Sequence, residues 1–146
     1  YYHGNLVSYR MISNENASAW IPFRGDAVIS AKYPGGQPAY EETYKNGVHD
    51  GVKKIYYDNG KPCLEYRYRK GGYQGEYKAY YSNGNVREKG TYNLGELHGV
   101  VEKYNEDGSL SSRENFVMGS RQGIAELFVK GAKPIEFKFN GGMTYE

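Results

Sequence analysis

The chain has 146 residues, of which 38% are hydrophobic and 16% aromatic, with 17 tyrosines, 20 glycines and a formal net charge of +2 from 19 Lys and Arg against 17 Asp and Glu. That length is one domain and that apolar content builds only a thin core, while carboxylates nearly as numerous as the cations exclude nucleic acid as the main partner. Cys63, the single cysteine, forms no intramolecular disulfide, no Cys and His cluster has metal-ligand spacing, so no metal or cofactor is expected, and no apolar run is long enough for an integral membrane segment.

Residues 1–19 keep only Tyr9 in any register and read as an N-terminal cap or a degenerate segment. The location is left open, the cytoplasm slightly favoured, with export or the cell envelope possible because the chain opens at Tyr1 without Met. From Trp20 onward a 24-residue period takes over. Its marker is an aromatic followed by two glycines: Tyr44, Gly47, Gly51; Tyr68, Gly71, Gly75; Tyr92, Gly95, Gly99; Phe116, Gly119, Gly123. A second marker runs between these as Tyr56-Tyr57-Asp58-Asn59-Gly60, Tyr80-Tyr81-Ser82-Asn83-Gly84 and Tyr104-Asn105-Glu106-Asp107-Gly108. Tyr33-Pro34-Gly35-Gly36 is its degraded first copy, and Lys133-Pro134 echoes Lys61-Pro62 with one residue deleted nearby. The repeat domain is accordingly 20–146, with units near 20–43, 44–67, 68–91, 92–115 and 116–139 and a C-terminal cap at Met143 to Glu146.

Each unit reads as a hairpin: a strand such as Val52 to Tyr57, a turn of Asn or Asp followed by Gly, and a return strand such as Pro62 to Tyr68. Asn59-Gly60 and Asn83-Gly84 suit a turn because both residue types tolerate a left-handed backbone. The two further glycines between hairpins permit a bend or bulge that steps the chain sideways. Alternation gives the first strands one side of Val52, Lys54 and Tyr56 and the return strands an apolar side of Pro62, Leu64, Tyr66 and Tyr68, leaving the opposite side to water. The expected architecture is all-β, about five antiparallel hairpins in an elongated twisted sheet that gains stability by stacking unit on unit.

The run Tyr57-Asp58-Asn59-Gly60, Tyr68, Gly71, Gly75 and its copies resembles the MORN-variant repeat of bacterial proteins of the YwqK-like antitoxin type, over roughly 120 residues. The resemblance implies an extended twisted sheet of hairpins and a non-catalytic role in protein contacts, including neutralisation of a partner toxin. The departures are the degraded first unit, Asn105 in place of the second Tyr, and Ala132 in place of the turn Gly.

Nothing in the sequence composes a catalytic site, and the chain is not expected to be an enzyme. His3, His49 and His98 do not recur in register and read as surface or turn residues. Glu41 and Glu42 point to opposite faces of a solvated strand. The Gly-x-x-x-Gly spacings lack the apolar surroundings of a membrane helix, while Arg24-Gly25-Asp26 and the sequon Asn16-Ala17-Ser18 are short enough to arise by chance. Cys63 reads as a reduced thiol on the polar side of its strand. In-register rings at Tyr56, Tyr68, Tyr80, Tyr92, Tyr104 and Phe116 first serve the core. The second-position and off-register rings Tyr57, Tyr66, Tyr73, Tyr77 and Tyr81 are the candidates for binding a protein partner, because tyrosine offers a large contact area with few rotors. The alternative is an envelope module that recognises wall carbohydrate or lipid headgroups, for which rings repeated in every unit would be needed.

Overall fold

The computed structural model describes residues 25–140 throughout and, before them, only four two-residue strands: β1 (Ser8–Tyr9), β2 (Ile12–Ser13), β3 (Asn16–Ala17) and β4 (Ile21–Pro22). β1 pairs with β4 and β2 with β3, both antiparallel. His3, Ser18, Trp20, Arg24 and the segment Met143 to Glu146 lie outside the described residues.

The remaining strands are β5 (Ala27–Lys32), β6 (Pro38–Lys45), β7 (Val48–Tyr56), β8 (Pro62–Arg69), β9 (Gly72–Tyr73), β10 (Gly75–Tyr80), β11 (Val86–Asn93), β12 (Glu96–Leu97), β13 (Gly99–Tyr104), β14 (Leu110–Val117), β15 (Ser120–Arg121), β16 (Gly123–Leu127) and β17 (Ile135–Phe139). They form one open antiparallel sheet in the order β5-β6-β7-β8-β10-β11-β13-β14-β16-β17, with β9, β12 and β15 extending the ladders on β8, β11 and β14. This is the all-β hairpin array that the period predicts. No helix among the described residues is long and apolar enough to cross a membrane.

Two turn types alternate. Within a hairpin the Tyr57 amide donates to the Lys61 carbonyl and the Gly60 amide to the Tyr57 carbonyl, and the same pair of bonds recurs from Tyr81 and Gly84 and from Asn105 and Gly108. Only the glycine is left-handed there, with φ of 81°, 96° and 86° at Gly60, Gly84 and Gly108. The expectation that asparagine shares that conformation is therefore corrected. Asn59 and Asn83 act through their side chains: Oδ1 accepts from the amide two residues on, and Nδ2 donates to a carbonyl of the next turn, Ser82 and Glu106 respectively. Between hairpins the left-handed pairs are Asn46-Gly47, Lys70-Gly71, Leu94-Gly95 and Met118-Gly119, two-residue turns whose twist matches that of the flanking strands. The second repeated glycine, also at positive φ from Gly51 to Gly123, lies at the irregularity just after that turn.

A bulge sets the faces. Tyr56 lies opposite Pro62 but Ile55 lies opposite Leu64, so Cys63 is left unpaired, and the same slip omits Ala39, Arg87 and Ser111. One extra residue moves every side chain beyond it to the other face. Lys54 consequently faces Glu65, and Val52 faces Arg67, instead of sharing a side with Leu64 and Tyr66. The assignment of Cys63 to the polar side gives way to this bulge position, where the thiol is half-buried.

On the charged face a single row of directly opposed residues crosses the sheet: Ser30, Glu41, Lys54, Glu65, Lys78, Lys89, Glu102, Arg113, Glu126, Glu136. Lys89 Nζ lies 3.0 Å and Arg113 Nε 3.1 Å from Glu102, and the Tyr104 hydroxyl donates to the same carboxylate at 2.8 Å. Those bonds, led by the one from Lys89, hold Glu102 down at a pKa of about 2. The other face carries Tyr44, Tyr66, Tyr68, Tyr73, Tyr77 and Tyr92 and what core there is. Its buried apolar residues are Tyr44, Tyr77, Ala79, Val101 and Ala125, few enough to bear out the thin core expected from composition.

Candidate interaction surface

The tyrosine face is built from a row in which each return strand contributes a ring at its end and the following turn returns a second side chain beside it. Tyr44 opposes His49, Tyr68 opposes Tyr73, Tyr92 opposes Leu97 and Phe116 opposes Arg121. The side chains then pack across units. His49 sits 4.3 Å from the Tyr44 ring and 4.9 Å from that of Tyr68, centroid to centroid. Tyr73 lies 4.6 Å from Tyr68 and stacks on Tyr92 at 5.0 Å. The Arg121 guanidinium lies over both Phe116 and Phe139, at 5.9 and 5.8 Å.

A second layer joins at the centre. Tyr66 stacks on Tyr77 at 5.7 Å with an interplanar angle of 11° and touches Tyr73 at 5.2 Å, while Tyr77 lies 5.1 Å from Tyr92. Offset and tilted rings at these separations add to burial alone. The packing depends on Gly90, directly opposite Tyr77, because a Cβ there would come to 2.7 Å from Tyr77 Cε1 and 2.9 Å from Val101 Cγ2. Tyr77 is 4% exposed, donates its hydroxyl to Glu88 Oε1 at 2.6 Å, and has its pKa pushed up by burial first and that hydrogen bond second. Burial likewise raises Tyr66, Tyr68 and Tyr92.

Of the five tyrosines picked out for binding, the structure brings three together here: Tyr66, Tyr73 and Tyr77. Tyr66 and Tyr73 are half-buried. Tyr57 and Tyr81 are elsewhere, at the turn ends, where their hydroxyls donate at 2.7 Å to the Tyr80 and Tyr104 carbonyls, as Tyr33 does to Tyr56. Each is a strap from one hairpin to the next, and the series stops at Asn105. Tyr68 and Tyr92, read as core rings, belong to the same cluster. Tyr80 and Tyr104 lie on the charged face, with hydroxyls on Glu65 and Glu102.

Sequence reasoning also missed a buried polar group at the first-to-second hairpin joint. Glu42 is 4% exposed, so the reading of Glu41 and Glu42 as a solvated strand fails for Glu42. The strand Pro38–Lys45 turns it onto the tyrosine face, where neighbouring rings cover it. Its Oε2 accepts from the hydroxyls of Tyr40 and Tyr44, and Lys53 Nζ lies 3.6 Å from Oε1. His49 Nδ1 stands 2.5 Å from Oε1, although neither atom completes a hydrogen-bond geometry. His49 is thus no free surface residue but is wedged between two rings and a carboxylate. Burial lowers its pKa more than Glu42 raises it, and Lys53 lowers it further. The available signal was the register: His49, Tyr73, Leu97 and Arg121 occupy one repeat position whose residue changes in every unit.

The wells along the sheet are open. One between Lys45, Asp50, Arg67, Tyr68 and Lys70 holds about 470 Å³ and is lined largely by charged groups, whereas small-molecule sites are concave and mostly apolar. Among the described residues no group of three or more His, Cys, Asp or Glu side chains is placed to hold a metal ion.

Comparison with known proteins gives a family match in four segments, to the MORN repeat variant, at residues 28–46, 50–70, 73–94 and 97–118, together more than half of the chain. The segments follow the hairpins β5–β6, β7–β8, β10–β11 and β13–β14. No curated protein matches the chain. Among solved structures, one similar chain comes from the crystal structure of accessory secretory protein 1,2 and 3 in Streptococcus pneumoniae, with 18% identity, a TM-score of 0.40, and coverage of 69% of this chain but 19% of that one. The chain therefore spans about a fifth of that neighbour's length.

Proposed function

We propose, from the premise that the chain belongs to the MORN repeat variant family, that it is a non-catalytic protein-interaction module whose tyrosine face docks a partner protein and, as the antitoxin resemblance implies, holds a toxin inactive. The observation that carries this reading is the half-buried cluster of Tyr66, Tyr68, Tyr73 and Tyr92 on an open, one-layer sheet. Tyrosine, with tryptophan and arginine, is enriched among the residues that carry most of the energy of protein recognition. An open sheet offers continuous area to cover another protein's active site. The rival envelope reading needs a ring cage repeated in each unit. The position beside the return-strand ring instead runs His49, Tyr73, Leu97, Arg121, a sequence suited to one extended partner surface.

The test is capture from lysate of the source cells on the immobilised chain, beside binding to isolated envelope fractions. One stoichiometric protein whose own activity is suppressed in the complex supports the proposal. Retention on envelope material with no protein bound contradicts it.

A further inference from the structure

One joint of the array gathers cations that the neighbouring joints lack. The well of about 470 Å³ between Lys45, Asp50, Arg67, Arg69 and Lys70 has four cationic side chains and a single carboxylate in its lining. Asp50 is already engaged: Lys45 Nζ lies 3.6 Å from its Oδ1, and the Lys70 backbone amide donates to its Oδ2 at 3.2 Å. The side chains of Arg67, Arg69 and Lys70 make no ion pair or hydrogen bond among the described residues. The next well along is close to balanced, with Lys54, Arg67 and Lys78 against Glu65 and Glu76.

The frame does not require these charges. One period earlier, the positions of Arg67, Arg69 and Lys70 hold Thr43, Lys45 and Asn46, and one period later they hold Thr91, Asn93 and Leu94, in strands and turns of the same form. Like charges crowded round one well repel each other, and that repulsion opposes folding. Lys70 also stands at a φ of 50°, which asparagine tolerates better than lysine. A cluster that the fold neither needs nor favours is suited to a ligand that neutralises it. Arg67 and Arg69 share a face of β8 and stand about 7 Å apart along it. Their guanidinium forks can each clasp one phosphoryl group of a single ligand, with the Lys70 ammonium adding a point charge.

We propose that this well binds a small soluble phosphate anion of two or more negative charges, of the pyrophosphate type. The charge that unfits the well for an apolar molecule is what suits it to an anion. The chain as a whole carries only +2, a weak attraction to an anionic bilayer, whereas a small anion meets the local excess alone. This goes beyond the binding of a partner protein and uses the cations of one joint instead of the tyrosine cluster.

The test is calorimetric titration of the full chain with inorganic pyrophosphate at constant ionic strength. One saturable site is expected, with a Kd of roughly 0.1–1 mM. The triple variant Arg67→Thr, Arg69→Asn, Lys70→Asn carries residues that the neighbouring units hold at the same positions, so it should melt no lower than the wild type while losing affinity about tenfold or more. Lys130→Ser, an exposed cation between β16 and β17, should bind as the wild type does. The absence of saturable heat, an unchanged triple variant, or an equal loss in Lys130→Ser would each overturn the proposal. So would binding to phosphatidylcholine vesicles containing about one-fifth phosphatidic acid without any response to pyrophosphate, which would assign the well to a membrane headgroup.

Discussion

His49 is the residue whose environment differs most from what its neighbours in sequence suggest. It is held between the Tyr44 and Tyr68 rings, with Glu42 and Lys53 the charged groups facing it. Burial, the largest cause, moves its folded pKa below the ordinary value of 6.5. The unfolded chain then binds the proton more readily than the folded one, so the contribution of His49 to stability is complete above 6.5 and is lost as the pH falls through the lower folded value. Urea denaturation from about pH 7 to about pH 5 should therefore show a steeper loss of stability for the wild type than for His49→Gln. Equal slopes would show that His49 carries no such linkage. Little of this was legible in sequence. Three histidines out of register look incidental, and a Glu-Glu pair on a strand looks solvated. Only the fold shows that Glu42 lies under Tyr40 and Tyr44.

At the scale of elements, the hairpins and their number were legible because each depends on local chemistry: glycine where φ must be positive, aromatic and β-branched residues between. The faces were not, because they depend on one unpaired residue per hairpin, Cys63 and its counterparts Ala39, Arg87 and Ser111, which no composition rule marks. The turn asparagine was read for its backbone when its side chain does the work, bridging to the next turn. The second-position tyrosines were read for recognition alone, and the structure adds that the hydroxyls of Tyr57 and Tyr81 donate to neighbouring backbones. Such straps tie one unit to the next at the turn end, away from the ring cluster. Tyr81→Phe removes the 2.7 Å bond to the Tyr104 carbonyl and should cost about 0.5–1.5 kcal/mol in urea denaturation. Unchanged stability would mean that solvent replaces the strap without loss.

For the whole molecule, a one-layer sheet without a deep core must draw its stability from cross-strand pairs repeated along the array. Both faces show this. The charged row on one side and the ring row on the other run across every hairpin from β6 to β17. Binding, in this account, uses the places where the ring row is not uniform. Tyr73 is the most central of these, touching Tyr66, Tyr68 and Tyr92, and the next unit has Leu97 in its place, so leucine is compatible with the frame. The direct measurement is the affinity of the captured protein partner for the wild type, for Tyr73→Leu and for Arg67→Ser on the charged face, with melting temperatures taken alongside. The account predicts a loss of about tenfold or more, roughly 1.4 kcal/mol, for Tyr73→Leu and little change for Arg67→Ser. Unaltered binding by Tyr73→Leu, with the loss falling on Arg67→Ser, would contradict it and move recognition to the charged face.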